Sequence, residues 1–336
     1  MKMPRTIVEF VNLHTYFDTA DGVVKAVNGV SFRIREGETV ALVGESGCGK
    51  SVTAMSLMGL LENTTGRIVD GEIRFDGKNT VNMSRAELRR IRGKDVSMIF
   101  QEPMSSLNPV LTIGEQMAEP MIEHLHMSRK EAHAKAVELI RMVGIPRAEA
   151  IARSYPHELS GGMLQRIMIA IALCCKPKLL IADEPTTALD VTVQAQILDL
   201  LRELKRQLEM AILLITHDLG VVAEMADSVI VMYCGKVIEQ APVLSLFQHP
   251  RHPYTQGLLK ARPSIGRRTE RLYSIPGQVP SPIGLGNSCY FSDRCDRCMD
   301  VCLAQQPPLR AVDDRHSVAC WLYEEGIRDV RSAARG

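Results

Sequence analysis

The chain has 336 residues, 46% hydrophobic and 24% charged, the composition of a soluble globular protein with room for about two domains. A net charge of +1 with 7 Phe, 7 Tyr and 1 Trp makes no overall case for nucleic acid. The longest apolar run, Ile167 to Cys175, is far short of the ~20 residues that span a bilayer. The N-terminal MKMPRTIVEF lacks an apolar signal core and a cleavage site, so the cytoplasm is the expected compartment.

Ile7 to Phe10, Val24 to Val27 and Ser31 to Ile34 read as strands, with turn signals at Asp21-Gly22 and Glu36-Gly37. Thr39 to Val43 is a short apolar strand, and Val52 to Leu61 has helical length and spacing. Between them Gly44-Glu45-Ser46-Gly47-Cys48-Gly49-Lys50-Ser51 fits the phosphate-loop pattern in the strand–loop–helix setting it requires. Gly44, Gly47 and Gly49 let backbone N–H groups turn inward around phosphate, and the helix N-terminus adds positive potential. Lys50 would reach the β and γ phosphates of ATP, and Ser51 would ligate Mg²⁺. In that context Tyr16 or Phe17 could stack on adenine; either is otherwise a half-buried strand residue.

Gly71 to Gly77 has strand alternation and a closing turn, and Ser84 with Glu87 is spaced as the capping box of a short helix through Arg92. Asp95 to Phe100 is an apolar strand ending in Gln101-Glu102-Pro103. Thr112 to Val143 is helical, with a second capping box at Ser128 and Glu131 and an apolar stripe of Ala132, Ala136, Leu139, Ile140 and Val143. HELSGGMLQR (His157 to Arg166) opens an apolar helix on a Ser-Gly-Gly turn, where Ser160, Gly161 and Gly162 can form a second anion cradle. KLLIADEP (Lys178 to Pro185) is a strand ending in two carboxylates, at the edge where ligands bind in parallel α/β sheets. Asp183 can hold Mg²⁺ and Glu184 can polarise water. Ala188-Leu189-Asp190 leads into a helix through Glu209. Ala211 to Asp218 is a further buried strand that presents His217 at its carboxyl end, placed for the γ-phosphate. Ser228 to Tyr233 and Val237 to Glu239 form a hairpin. Rising Pro and Arg density puts a domain boundary near Ala241, separating residues 1–241 from 242–336.

Five of the nine cysteines lie between Cys289 and Cys320. In a reducing compartment such a cluster points to metal rather than disulfides. Cys289, Cys295, Cys302 and Cys320 are spaced C-x5-C-x6-C-x17-C, with Cys298 as an extra. The spacing suits zinc or an iron–sulfur cluster and does not choose between them.

GESGCGKS, Gln101, LSGGM, LLIADE, ALD and His217, in this order over about 230 residues, resemble the ATPase subunits of ABC transporters. The resemblance implies an α/β fold: a P-loop ABC ATPase with a RecA-like core, an antiparallel β subdomain and a helical subdomain about 104–165, plus a small C-terminal metal-binding extension. It implies two ATPase subunits head to tail with ATP at each interface. Phe17, with Tyr16 second, would stack on adenine. Gln101 would sense Mg²⁺ and the membrane subunit, and Ser160 to Gly162 would grip the γ-phosphate bound by the opposite protomer. Asp183 would support Mg²⁺, Glu184 act as general base, Asp190 couple the two sites and His217 contact the γ-phosphate. Where the family's commonest signature ends in Gln this chain has Met163, which leaves the main-chain cradle intact.

The tail FQHPRHPYTQGLL (Phe247 to Leu259), the IPG of Ile275 to Gly277 and the Cys-rich end resemble the ATPase subunits of dipeptide and oligopeptide importers. The implied partners are a second ABC ATPase of related sequence, two integral membrane permease subunits and an extracytoplasmic substrate-binding protein, with no nucleic acid. The implied location is peripheral, on the cytoplasmic face of the inner membrane. The implied Cys ligand set, Cys289, Cys295, Cys302 and Cys320, would hold a [4Fe–4S] cluster, with zinc as the alternative. Nickel and glutathione importers share much of this phrasing. A soluble ABC ATPase of DNA repair or translation fits less well, because such chains carry two cassettes or large insertions.

Overall fold

The computed structural model describes residues 5–62, 64–187, 189–262 and 273–324; Ala188 of the Ala-Leu-Asp motif lies outside them. In chain order the strands are β1 (Thr6–Thr19), β2 (Gly22–Arg35), β3 (Thr39–Val43), β4 (Gly66–Phe75), β5 (Lys78–Asn79), β6 (Val96–Ile99), β7 (Leu179–Asp183), β8 (Ala211–Ile215), β9 (Ser228–Tyr233), β10 (Lys236–Pro242), β11 (Arg310–Asp313) and β12 (His316–Val318). The helices are α1 (Lys50–Met58), α2 (Arg85–Ile91), α3 (Pro103–Ser106), α4 (Ile113–Leu125), α5 (Arg129–Met142), α6 (Ala148–Ile151), α7 (Gly161–Leu173), α8 (Val191–Leu208), α9 (Leu219–Met225), α10 (Val243–Gln248), α11 (Pro253–Lys260) and α12 (Asp300–Ala304). Among the described residues no helix is long and apolar enough to cross a membrane.

The chain divides into two compact units. The first comprises Met1–Val8, Arg33–Thr39 and Arg74–Ile215. Here β6, β7 and β8 run parallel, with Ile99 opposite Ala182 and Asp183 opposite Ile215. Every residue of β7 and β8 is buried, the unbroken apolar run that a strand covered on both faces requires. Parallel pairing also brings the residues that follow β6 and β7 to one edge. Helix starts are set by local chemistry: Ser84, Thr112 and Ser128 each accept the N–H three residues on, and Glu87, Glu115 and Glu131 return the bond. Left-handed His126 (φ 55°) ends α4 and the Ser128 box starts α5, so the long helical stretch is split in two. The stripe from Ala132 to Val143 is buried as its spacing predicts.

The second unit comprises Glu9–Phe32, Val40–Ile73 and Thr216–Gly336. Strands β2, β1 and β4 are neighbours in that order. The two short strands expected at 24–27 and 31–34 are one, because Asn28-Gly29 does not end it. Gly29 takes a φ of 80° inside the strand, and the Asn28 side chain is held by the Tyr16 and Tyr290 hydroxyls. β3 and β9 are parallel; β10 returns antiparallel to β9, and β12 then β11 continue that sheet. The far C-terminal strands thus extend the sheet that carries β3.

Beside β10 the Glu239 carboxylate is fully buried and accepts from the Arg251 N–H (2.6 Å) and His252 N–H (2.9 Å), with His316 Nε2 at 2.7 Å. Burial pushes this carboxyl up; His316, Thr255 and the two amides outweigh it and hold it below its ordinary value. His252, buried at the N-cap of α11, accepts the Tyr254 N–H at Nδ1 (3.0 Å). Burial, against a smaller opposing pull from Glu239, pushes its pKa down to about 4 from 6.5. The unfolded chain therefore takes up this proton first, and the neutral cap contributes stability above pH 6.5 that is lost as pH falls toward 4. The loss is up to about 3 kcal/mol. Tm is expected to fall across this window, and to fall less steeply for His252→Asn, which keeps a cap acceptor without a proton to gain. Parallel slopes for the two proteins would exclude His252 as the titrating group.

Candidate nucleotide site

In the second unit β3 delivers the chain into the phosphate loop, and Gly49 begins α1 in the left-handed region (φ 99°). A Cβ at Gly49 would stand 2.1 Å from the Ala26 carbonyl oxygen, and one at Gly44 2.3 Å from that of Met232. These two glycines are required by backbone packed against backbone, whereas a Cβ at Gly47 would meet open space. The Lys50 ammonium is buried and donates to the Gly44 (2.7 Å) and Glu45 (3.0 Å) carbonyls, so its charge sits inside the turn where phosphate oxygens would compete for it. Burial pushes the Cys48 thiol up, with Lys50 pulling the other way. Ser51 follows, half-buried, in the first turn of α1.

Thr15 of β1 is hydrogen-bonded to Ser56 of α1 (2.9 Å). Strand alternation puts Phe17 on that same α1-facing side and Tyr16 on the other. The Phe17 ring lies against the backbone of Gly66, where a Cβ would come within 2.5 Å of it. Tyr16 instead donates to Asn28 Oδ1 (3.2 Å) and packs edge-on to His14. His217 is exposed just beyond Thr216, whose N–H reaches the Leu42 carbonyl (3.4 Å).

In the first unit, Gln101 follows β6 and Glu184 follows β7. The parallel register makes them neighbours, and Gln101 Nε2 donates to Glu184 Oε2 (3.0 Å). Thr187 Oγ1 donates to the same oxygen (2.8 Å), a contact that sequence inspection does not single out. Glu184 is left-handed (φ 49°), an uncommon backbone state for a residue with a Cβ and one that clusters at active sites. Asp183 ends β7, buried. Gln165 of α7 donates to the Pro185 carbonyl (2.6 Å), tying the Ser-Gly-Gly helix to the turn after Glu184. Ser160 caps α7 by accepting the Met163 N–H (3.4 Å), and Ser160 and Gly161 are exposed at the helix start. Gly162 faces Val193, which a Cβ would approach to 3.0 Å. Asp190 caps α8 by accepting the Val193 N–H (2.9 Å).

Cys289, Cys295, Cys302 and Cys320 all line one small cavity of about 10 Å³, together with His252 and Phe291; Cys298 is exposed and stands outside it. Burial, and to a lesser degree the neighbouring sulfurs, pushes the Cys289 thiol up to about 11 and the Cys320 thiol to about 12. Among the described residues no group of three or more His, Cys, Asp or Glu is disposed as a metal-ligand set. The four thiols converge on this cavity, and the metal-binding extension expected from the sequence is not shown among the described residues.

A phosphate loop, a strand-end Asp-Glu pair and a capped Ser-Gly-Gly helix together define an ATPase of the ATP-binding cassette class. The "ABC transporter" family profile matches residues 27–187, and "Oligopeptide/dipeptide transporter, C-terminal region" matches residues 238–302. The chain is 56% identical over 320 residues to the oligopeptide transport ATP-binding protein AppD of Bacillus subtilis, covering 95% of this chain and 98% of that one. It is 48% identical over 319 residues to the dipeptide transport ATP-binding protein DppD of the same organism, covering 95% of both. The dimeric ATP-binding cassette MJ0796, solved in a post-hydrolysis state with ADP and Pi, superposes with a TM-score of 0.63 at 30% identity over 70% of this chain and 98% of that one. The protein belongs to the ABC-transporter ATP-binding subunits that carry the oligopeptide/dipeptide C-terminal region.

Proposed function

We propose that this protein is the ATP-hydrolysing motor of a peptide importer, with residues 1–241 as the ATPase domain and 242–336 as the extension. The carrying observation is the Glu184 carboxylate, aimed by Gln101 and Thr187 from a left-handed residue at the carboxyl edge of a parallel sheet. Gly44 to Ser51 wrap the phosphates, and the Lys50 ammonium exchanges its loop carbonyls for phosphate oxygens. Ser51, Asp183 and Gln101 would hold Mg²⁺, whose contribution when bound would be charge neutralisation at the nucleotide phosphates. Glu184 accepts a proton from the attacking water, and His217 bonds the γ-phosphate. Phe17, on the α1 side of its strand, stacks on adenine.

One phosphate loop leaves the γ-phosphate open on one side. The exposed N-terminus of α7 at Ser160 to Gly162 is the matching donor for the nucleotide of a second ATPase subunit, with Asp190 at the same interface. ATP then favours the closed pair, and hydrolysis releases it. Lying peripherally on the cytoplasmic face of the inner membrane, this ATPase works on two integral membrane permease subunits, and an extracytoplasmic substrate-binding protein completes the importer.

The peptide assignment is supported by the oligopeptide- and dipeptide-transport relatives and the matched C-terminal region. Uptake of labelled dipeptides, longer peptides, glutathione and nickel is to be compared in cells whose only copy carries Glu184→Gln. Selective loss of peptide uptake is expected; intact peptide uptake with lost nickel or glutathione entry would keep the motor and replace its cargo. The four cavity thiols suit a soft metal, and a nearby cation would offset the burial that disfavours thiolate at Cys289, Cys295 and Cys320. Cys289, Cys295, Cys302 and Cys320 would hold a [4Fe–4S] cluster, which would brace the extension. Anaerobically purified protein is expected to be brown; colourless protein with about one zinc per chain would assign the site to zinc.

A further inference from the structure

Two sequence features of the extension, HPY at His252 to Tyr254 and IPG at Ile275 to Gly277, have no part in the chemistry above, yet both converge on the phosphate loop. The Tyr254 hydroxyl, in a fully buried side chain, accepts the N–H of Glu45, the second residue of that loop (2.9 Å). The Glu45 carboxylate is gripped by Arg294, with Nη1 to Oε2 at 2.8 Å and Nη2 to Oε1 at 3.2 Å. This is a two-pronged pair, the strongest form of Arg–carboxylate contact. The guanidinium is itself aimed: Nε donates to the Pro276 carbonyl (2.9 Å), Nη2 reaches that of Ile275 (3.5 Å) and Nη1 the Tyr233 hydroxyl (3.3 Å). Gly277 clears its stem, since a Cβ there would stand 3.2 Å from Arg294 Cγ. The Arg294 side chain is 6% exposed and that of Glu45 28%.

The same Cys289–Cys302 segment makes a second contact with the elements of this site. Tyr290 accepts from Asn28 Nδ2 (3.1 Å), and Asn28 Oδ1 accepts from Tyr16 beside Phe17.

We propose that Arg294 is a positioning residue of the nucleotide site, cancelling the Glu45 carboxylate and fixing the first turn of the phosphate loop. A carboxylate in a loop that must receive a triphosphate opposes its own ligand unless a cation is locked to it. Arg294 supplies that cation from about 250 residues away, so the extension is a structural part of ATP binding. IPG is then the cradle of this guanidinium and HPY the clamp on the loop's backbone.

The inference rests on the ATP-binding reading, and the test separates the two. Binding of MANT-labelled ATP is measured without Mg²⁺, so that no turnover intervenes, with thermal melts to verify folding. Arg294→Met is expected to weaken binding about tenfold, because it leaves the Glu45 charge unpaired beside the phosphates. Arg294→Met combined with Glu45→Gln should return to within about threefold of wild type, because the repulsive charge is gone. Glu45→Gln alone is the background against which the double variant is read: adding Arg294→Met to it should change binding by less than about threefold. A purely structural Arg294 predicts the opposite: Arg294→Met costs the same about tenfold with or without Glu45→Gln. Wild-type affinity in Arg294→Met, or an undiminished loss on adding it to Glu45→Gln, would overturn the proposal. Should Arg294→Met not fold, Arg294→Lys, which keeps the cation but not the two-pronged grip, should weaken binding by less than about threefold, and a loss of about tenfold would overturn the proposal. Failure of the wild-type protein to bind MANT-ATP would instead sink the ATP reading.

Discussion

Replacing Glu184 with Gln is expected to lower kcat for ATP hydrolysis by about 10²- to 10⁴-fold, the range set by loss of a positioned general base. The substitution is nearly isosteric, and a Gln carbonyl oxygen can still accept from Gln101 and Thr187, which both bond Glu184 Oε2. Geometry at the strand edge is therefore kept while proton acceptance is lost. ATP should remain bound, and an ATP-dependent closed pair of subunits should accumulate. Single-turnover phosphate release and the size of the ATP-bound species by light scattering measure the two halves of this expectation. Wild-type turnover would remove Glu184 from the role of base.

Gly49→Ala is expected to abolish nucleotide binding while the strands around it stay folded. The added methyl meets a backbone oxygen at 2.1 Å, and the φ of 99° is one that L side chains rarely adopt. Neither the Ala26 carbonyl nor the helix start can swing aside as a side-chain end would. The strained backbone costs about 1–3 kcal/mol and the overpacking about as much again. Moving the loop relieves both, which takes Lys50 and the inward N–H groups out of register with the phosphates. Far-UV CD and MANT-ATP titration of this variant against Gly47→Ala, where a Cβ finds open space, isolate the effect. The Gly47 position has its own left-handed φ of 78°, so equal losses in the two proteins would assign the defect to backbone strain rather than to the clash.

Elements whose cause is local are the ones that sequence inspection places well. TVALV before Gly44 and LLIAD before Glu184 are unbroken apolar runs, and buried parallel strands are what result. The Ser84 and Ser128 boxes start α2 and α5 where their spacing says, because each bond joins residues three apart. Asn28-Gly29 is the contrary case: it falls between two short strands in the residue pattern, but hydroxyls on Tyr16 and Tyr290 hold Asn28 inside a continuous strand. The cysteine spacing likewise shows which thiols belong together without showing how closely they approach.

The phosphate loop, the strand-end carboxylates and the Ser-Gly-Gly helix start are written in short contiguous runs, and the class of chemistry follows from them. The pairing of Gln101 and Thr187 on one oxygen of Glu184, and its left-handed backbone, depend on β6 and β7 lying in register. The grip of Arg294 on Glu45 spans 249 positions. Such contacts carry no periodicity, because chain distance does not constrain them; tertiary packing, with Phe291, Tyr233 and Tyr254 in one aromatic cluster, brings the two ends together.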